Sequence, residues 1–228
     1  MSRQHIVLPA VVLTVGVLMN MLSRGLIETF AVFLLPLGEA FKADRAAITV
    51  IYSTYMLVYG LSAPLMGYLI DRIGVRVCYL LGLLLLGGGF WFAGSATELW
   101  HLYLLLGVAC GAGAAALGMV PASMLASYWF DRRLPSAMSL LYASLGMGVL
   151  VFSPLSQWLI DTRGLHAAYR SLALAPLLLL PLILLLPWKT ILSGESALRA
   201  RRESAVRKGV KSALLRALRE ASFGSWPA

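Results

Sequence analysis

The chain has 228 residues, 60% of them hydrophobic and only 13% charged, with a mean hydropathy of +0.82. A soluble domain is about 45–50% apolar and about 25% charged, so this composition excludes a soluble fold and specifies an integral membrane protein. The formal charge of +9 is uneven: residues 1–188 hold ten Lys/Arg against seven Asp/Glu, and residues 189–228 hold nine against three.

A basic end beside a membrane suits anionic lipid headgroups, and no aromatic interleaving points it toward nucleic acid. Cys78 and Cys110 sit in separate apolar runs, and His5, His101 and His166 are far apart. Neither a disulfide framework nor metal-ligand spacing results, and no metal or other cofactor is expected.

The opening MSRQH and the apolar run from Ile6 imitate a signal peptide. No small-x-small cleavage pattern closes the run, which continues through Asn20, Ser23 and Arg24, so it is expected to remain as the first membrane span. A helical crossing takes about 20 apolar residues. Six blocks meet that need: roughly Leu8–Leu37, Ala46–Ile70, Val77–Ala96, Leu102–Ser127, Leu134–Ile160 and Ala167–Trp188. The polar turns between them are GEAFKADR, DRIGVR, SATELWH, YWFDRR and DTRGLHAAYR. No alternating strands of about ten residues occur, so the fold class is all-α, with backbone polar groups satisfied inside each span.

Basic residues in the turns divide five against four between the two sides: Arg3, Arg72, Arg76, Arg132 and Arg133 on one, Lys42, Arg45, Arg163 and Arg170 on the other. An even number of spans returns the strongly basic end to the first side. Both termini are therefore expected in the cytoplasm of a multi-pass plasma-membrane protein, here a bacterial inner membrane.

PLMGYLIDRIG at 64–74 is echoed by PLSQWLIDTRG at 154–164. The two close the second and fifth spans, three crossings apart, and so face opposite sides of the membrane. This is the internal symmetry of an inverted repeat, three spans against three, found in secondary transporters.

The spacing Gly67-x-x-x-Asp71-Arg72-x-Gly74-x-Arg76 resembles the signature between the second and third spans of major facilitator superfamily (MFS) transporters. ETFAVFLLPLGEAF (28–41), YSTYMLVYGLSAPLMGYLIDRIGVR (52–76) and WFDRRLPSAMSL (129–140) resemble the branch that carries monocarboxylates and exchanges oxalate for formate. The resemblance covers about residues 8–188, with one departure: Val77 stands where the signature has a second basic residue. It implies a transporter rather than an enzyme, moving a small organic anion by alternating access with a coupling proton or counter-anion. The family builds two six-helix halves around the substrate path, and this chain supplies one. The expectation is a chain truncated to its N-terminal half that does not transport alone; the alternative is a non-transporting fragment, or a six-helix subunit that needs a partner half or self-association. Residues 189–228 resemble the family's central linker. Val206, Val210, Leu214, Leu218 and Ala221 lie opposite Arg207, Lys208, Lys211, Arg216 and Arg219, a basic amphipathic pattern suited to a membrane surface.

Within the spans, Arg24 and Glu28 are four residues apart and share a helix face. A lipid-facing charge there would cost about 2.5–3.5 kcal/mol or more, so both must face the bundle interior or a wet cavity. Two readings stand: a mutual ion pair, or Arg24 meeting a substrate carboxylate while Glu28 orients it or carries a coupling proton. In the second span, rotation by about 100° per residue groups Tyr52, Tyr55, Tyr59 and Ser62 on one side. Tyr55 and Tyr59 are assigned to the cavity and Tyr52 to the membrane interface. Gly60, Gly67 and Asp71 fall on a side assigned to helix contact. In the fifth span Tyr142, Gly146, Ser153 and Gln157 share a face assigned to the cavity.

The resemblance makes the signature loop a latch between halves. Gly67 would permit close helix approach, Asp71 would receive a helix N-terminus or an Arg, and Arg72 and Arg76 would pair with acids such as Asp131. Gly111-x-Gly113-x-x-Ala116 matches a dinucleotide fingerprint but sits inside an apolar block without a preceding strand, so it is expected to pack helices, as are Gly87, Gly88 and Gly89.

Overall fold

A computed structural model describes residues 4–130, 133–188 and 190–192, and among them helices alternate only with short turns. Helices α1 (Gln4–Glu28) and α2 (Phe30–Phe41) form one apolar stretch broken at Thr29. The Thr29 hydroxyl donates to the Leu26 carbonyl at 2.6 Å, and the Val32 amide reaches back to the Thr29 carbonyl at 2.9 Å. Such local bonding draws groups out of the i→i−4 ladder and bends the helix.

Helix α3 (Arg45–Ile73) starts where the Asp44 side chain accepts from the Ala47 amide, at 2.9 Å, an N-cap that satisfies one of the helix's unpaired donors. It ends at Gly74, and α4 (Val75–Ala93) follows directly. Next come α5 (Leu99–Leu102), a π-helical segment Tyr103–Ala109, α6 (Cys110–Leu117) and α7 (Met119–Trp129). α6 and α7 are separated by extended backbone at Gly118, with φ −74° and ψ −154°.

The last helix, α8 (Leu134–Leu185), runs 52 residues with one non-helical position, Gly164. Its φ and ψ of 78° and 169° nearly reproduce the 84° and 156° of Gly74. That region of backbone space is accessible essentially to glycine alone. The two glycines are the closing residues of the two echoing stretches.

Among the described residues, five stretches are long and apolar enough to cross a membrane. DTRGLHAAYR, where a loop was expected, is helical on both sides of Gly164, so the fifth and sixth expected blocks are two helices that follow one another across a kink at that residue. A straight α8 would run about 78 Å, more than twice the ~30 Å hydrocarbon core. Its two parts pack on different partners. The first meets α1, where Gly25 and Gly148 bring the backbones into contact, and the second meets α4 through Leu177 and Pro176 at Gly87.

Glycines of the π segment and α6 carry the interior contacts. A Cβ on Gly111 would meet Val58 and the Tyr55 carbonyl, and one on Gly113 would meet the Leu86 amide. The small-residue packing expected of this block is therefore present. Gly88, Gly60 and Gly67 differ: no atom lies within 4 Å of a Cβ placed on any of them. Helix contact was expected at all three, but the surfaces of α3 at Gly60 and Gly67 and of α4 at Gly88 meet none of the other described helices. The basic amphipathic segment 206–221 and Asp131, the expected partner of Arg72 and Arg76, lie outside the described residues.

Candidate functional site

Arg24 and Glu28 occupy the last turn of α1, just before the break at Thr29. Their side chains meet at 2.8 Å between Arg24 Nη2 and Glu28 Oε1, and remain 28% and 23% exposed. The second carboxylate oxygen, Oε2, accepts from the Tyr52 hydroxyl at 2.9 Å. Tyr52, expected at the membrane interface, instead belongs to the charged site. The Arg24 guanidinium also lies over the Tyr59 ring, 5.6 Å from its centroid. The rings of Tyr52, Tyr55 and Tyr59 follow one another at 6.0 and 5.9 Å. Two opposite charges inside an apolar bundle thus neutralise each other, and aromatic faces and a phenol hold them in place.

Glu28 opens onto a cavity of about 340 Å³, lined also by Phe30, Ala31, Leu34, Thr49 and Tyr52. Tyr55 does not line it. Its side chain is buried, and it borders a separate apolar gap of about 10 Å³ that Tyr169 shares. The period-3.6 rotation put Tyr55 on the tyrosine side correctly but could not reveal that its side chain is buried.

The span-five residues stand apart from this group. Tyr142 is 59% exposed, and Gln157 Nε2 donates to Asp161 Oδ1 at 2.9 Å. The signature residues lie at the far end of α3, about 28 Å along the helix from Tyr52 at 1.5 Å per residue. There the Arg72 guanidinium covers the Tyr68 ring at 4.9 Å, and Arg76 Nη2 donates to the Leu184 carbonyl at 3.2 Å. Asp71 is exposed, and Gly74 supplies the left-handed turn.

Three polar side chains in and just after α1 were not singled out from the sequence. Asn20, Ser23 and Thr29 are all completely buried. Ser23 Oγ donates to the Ala114 carbonyl at 2.7 Å, tying α1 to α6. The signal was present: Asn20, Ser23, Arg24 and Glu28 recur at helical spacing in an otherwise apolar run.

Long apolar helices, close glycine contacts and an ionised pair beside a cavity define a polytopic membrane protein with a polar interior site. Residues 13–226 match the family described as Major Facilitator Superfamily. The chain belongs to that superfamily, a family of transporters and not of enzymes.

Its relatives include monocarboxylate transporter 13 of Bos taurus, 33% identical over 146 residues, which cover 64% of this chain and 33% of that protein. Monocarboxylate transporter 11 of Homo sapiens is 33% identical over 172 residues, 72% of this chain and 36% of that protein. A Bacillus subtilis (strain 168) protein named as the uncharacterized MFS-type transporter YcxA is 29% identical over 144 residues, 63% and 34% of the two chains. The chain thus spans about a third of the length of the curated relatives it matches.

Proposed function

We propose that residues 8–188 form the N-terminal six-helix half of a secondary transporter that moves a small, monocarboxylate-like anion by alternating access. The observation that carries this reading is the Arg24–Glu28 salt bridge, tied to Tyr52, with Glu28 opening onto a cleft of about 340 Å³ in an otherwise apolar stretch. A guanidinium presents a planar fork of donors matched to a carboxylate. A substrate carboxylate that takes Arg24 from Glu28 leaves Arg24 paired throughout, which avoids the large cost of an unpaired charge. Glu28 then keeps Tyr52 and is the group placed to take up a coupling proton; exchange for a counter-anion would use Arg24 alone. The names of the relatives support the same substrate class.

Three features support a 3+3 inverted repeat of six spans. Gly74 and Gly164 share a rare conformation at matching positions. All ten residues exposed between positions 51 and 74 have an exposed counterpart 90 residues later, Leu61 with Val151 and Tyr68 with Trp158 among them, so the likeness extends over a whole helix. The close pairing of α1 with the first part of α8, at Gly25 and Gly148, has its counterpart in α3 against the π segment and α6, at Gly107 and Gly111. An inverted repeat exchanges those two pairs.

In this proposal Tyr59, Tyr142 and Gln157 face the substrate path. Gly67, Asp71, Arg72, Gly74 and Arg76 act as the cytoplasmic latch, the termini are cytoplasmic in a bacterial inner membrane, and residues 189–228 lie on anionic headgroups. A second six-helix half completes the path.

Two measurements test the reading. Lactate, pyruvate or oxalate should raise the melting temperature of the purified chain, and Arg24→Gln should remove that response; an equal response in wild type and variant refutes the carboxylate role. Vesicles containing this chain alone should show no uptake of labelled carboxylate. Uptake that Arg24→Ala abolishes would mean that no second half of different sequence is needed.

A further inference from the structure

We infer that the Arg24–Glu28 site takes an α-amino acid with an apolar side chain in preference to a simple carboxylate. The carboxylate goes to Arg24, the ammonium to Glu28 and the side chain into the cleft. The role of Arg24 here rests on the transport reading; what is new is the group that meets Glu28.

The cleft beside Glu28 offers a ligand acceptors and apolar surface. Its lining residues are Glu28, Phe30, Ala31, Leu34, Thr49 and Tyr52, and none of these six side chains is cationic. Both hydroxyl protons among them are spent. Tyr52 donates to Glu28 Oε2 at 2.9 Å, and Thr49 donates to the Arg45 carbonyl at 2.7 Å. A hydroxyl has one proton to give, so neither side chain keeps a donor for a ligand. Whatever enters the cleft must therefore be apolar or bring its own donors. Oxalate is the least suited, since its second carboxylate would face Glu28 with no donor from the lining side chains.

The ion pair sets the second requirement. Arg24 Nη2 and Glu28 Oε1 are 2.8 Å apart, so a ligand that takes one partner leaves the other without its counter-charge. A lone carboxylate on Arg24 strands the Glu28 charge in an apolar stretch, a large cost unless a proton arrives with it. An ammonium brings a positive charge and three donors. Placed on the carbon next to the carboxylate, it meets Glu28 while the carboxylate meets Arg24. Both side chains stay paired, the total charge of the site is unchanged, and the ammonium does for Glu28 what a coupling proton otherwise does.

The cleft is left for the amino acid's side chain. Its volume of about 340 Å³ is room for roughly eleven waters at ~30 Å³ each, far more than a methyl group fills. Phe30, stacked on Tyr52 with ring centroids 5.7 Å apart, and Leu34 give it apolar surface. Each buried methylene adds about fourfold in affinity, so leucine should bind at least tenfold more tightly than alanine.

The test melts the purified full chain in nanodiscs with leucine, 2-hydroxy-4-methylpentanoate, leucinamide, alanine or oxalate. The hydroxy acid keeps leucine's shape without its ammonium, and leucinamide keeps the ammonium without the carboxylate. Leucine should raise the melting temperature with a midpoint at least tenfold lower than the hydroxy acid or alanine, and leucinamide and oxalate should be weakest. Glu28→Gln should remove the advantage of leucine over the hydroxy acid, and Arg24→Gln should abolish the response to both. Radioactive leucine bound to wild type and displaced by the same series decides the matter if Glu28→Gln does not fold. No response to leucine, a midpoint for the hydroxy acid equal to or below that of leucine, or a leucine advantage kept in folded Glu28→Gln overturns the inference. The transport reading then still stands if Arg24→Gln abolishes the hydroxy acid response. A leucine response that Arg24→Gln leaves intact overturns both.

Discussion

Gly148→Ala probes the contact that holds the first part of α8 against α1. A Cβ built on Gly148 would stand 2.5 Å from the Met21 carbonyl oxygen and 3.1 Å from the Gly25 Cα, where ordinary contact begins at 3.4 Å. Both obstacles are backbone and cannot rotate aside, so the helices must part locally by roughly 0.9 Å, and overpacking of this kind costs about 1–3 kcal/mol. Gly146, two residues away on the same helix, has no atom within 4 Å of its Cβ position. There alanine should stabilise by about 0.5–1 kcal/mol through the unfolded state and helix propensity. A chain of this size moves about 2–4 °C per kcal/mol. Gly148→Ala should therefore melt roughly 4–8 °C lower for a cost of about 2 kcal/mol, and Gly146→Ala slightly higher than wild type. The only two cysteines, Cys78 and Cys110, are free and buried, so a thiol-reactive dye reports unfolding directly. Equal melting of the two variants would refute the packing described for this helix pair.

Tyr52→Phe removes a hydrogen bond to a carboxylate and should cost about 1.5 kcal/mol in a denaturant titration. Tyr55→Phe removes only an unpartnered hydroxyl and should change stability by less than about 0.5 kcal/mol. Arg24→Met strands Glu28 and should destabilise by about 3 kcal/mol, whereas Arg24→Met with Glu28→Met should recover most of the loss; a double-mutant cycle without coupling energy would argue against an ion pair in solution. Gly164→Ala and Gly74→Ala force a side chain into glycine-only backbone space and should each cost about 1–3 kcal/mol, read as lowered melting temperatures.

Helix class, membrane location and family were legible because they rest on long-range averages: apolar runs, the Asp-x-x-Gly echo and the signature spacing. Arg24 and Glu28 were legible for the opposite reason, since charge is so costly in an apolar run that it must have a partner. Tyr52 was misplaced because its distance from the helix end suggested an interface, while the fact that decides its role is a carboxylate 24 residues upstream. Gly60 and Gly67 meet no other described helix of this chain, since small residues permit close approach without requiring it. Thr29 and Gly118 were not legible as breaks: both interrupt apolar stretches whose composition continues across them.

Those two breaks fall at matching offsets along the chain. α1 ends at Glu28 and α2 begins at Phe30, while α6 ends at Leu117 and α7 begins at Met119, 89 residues later in each case. The offset matches within one residue the 90 that separates PLMGYLIDRIG from PLSQWLIDTRG. On the proposed repeat, the leading span of each copy is broken at the same level, but by different means: a threonine hydroxyl bonded to the preceding turn in one, a glycine in the other. The chemistry is not repeated with the backbone. Arg24 and Glu28 occupy the first copy, where the second has Ala114 and, within one position, Gly118. Ser23 Oγ donates to the Ala114 carbonyl, and Tyr59 Oη lies 3.2 Å from where a Gly118 Cβ would stand. Small residues in one copy therefore make room for polar groups of the other. On the proposed repeat, a symmetric backbone yields one asymmetric polar site, and replacing Gly118 with a larger residue should disturb it as surely as replacing a charged one.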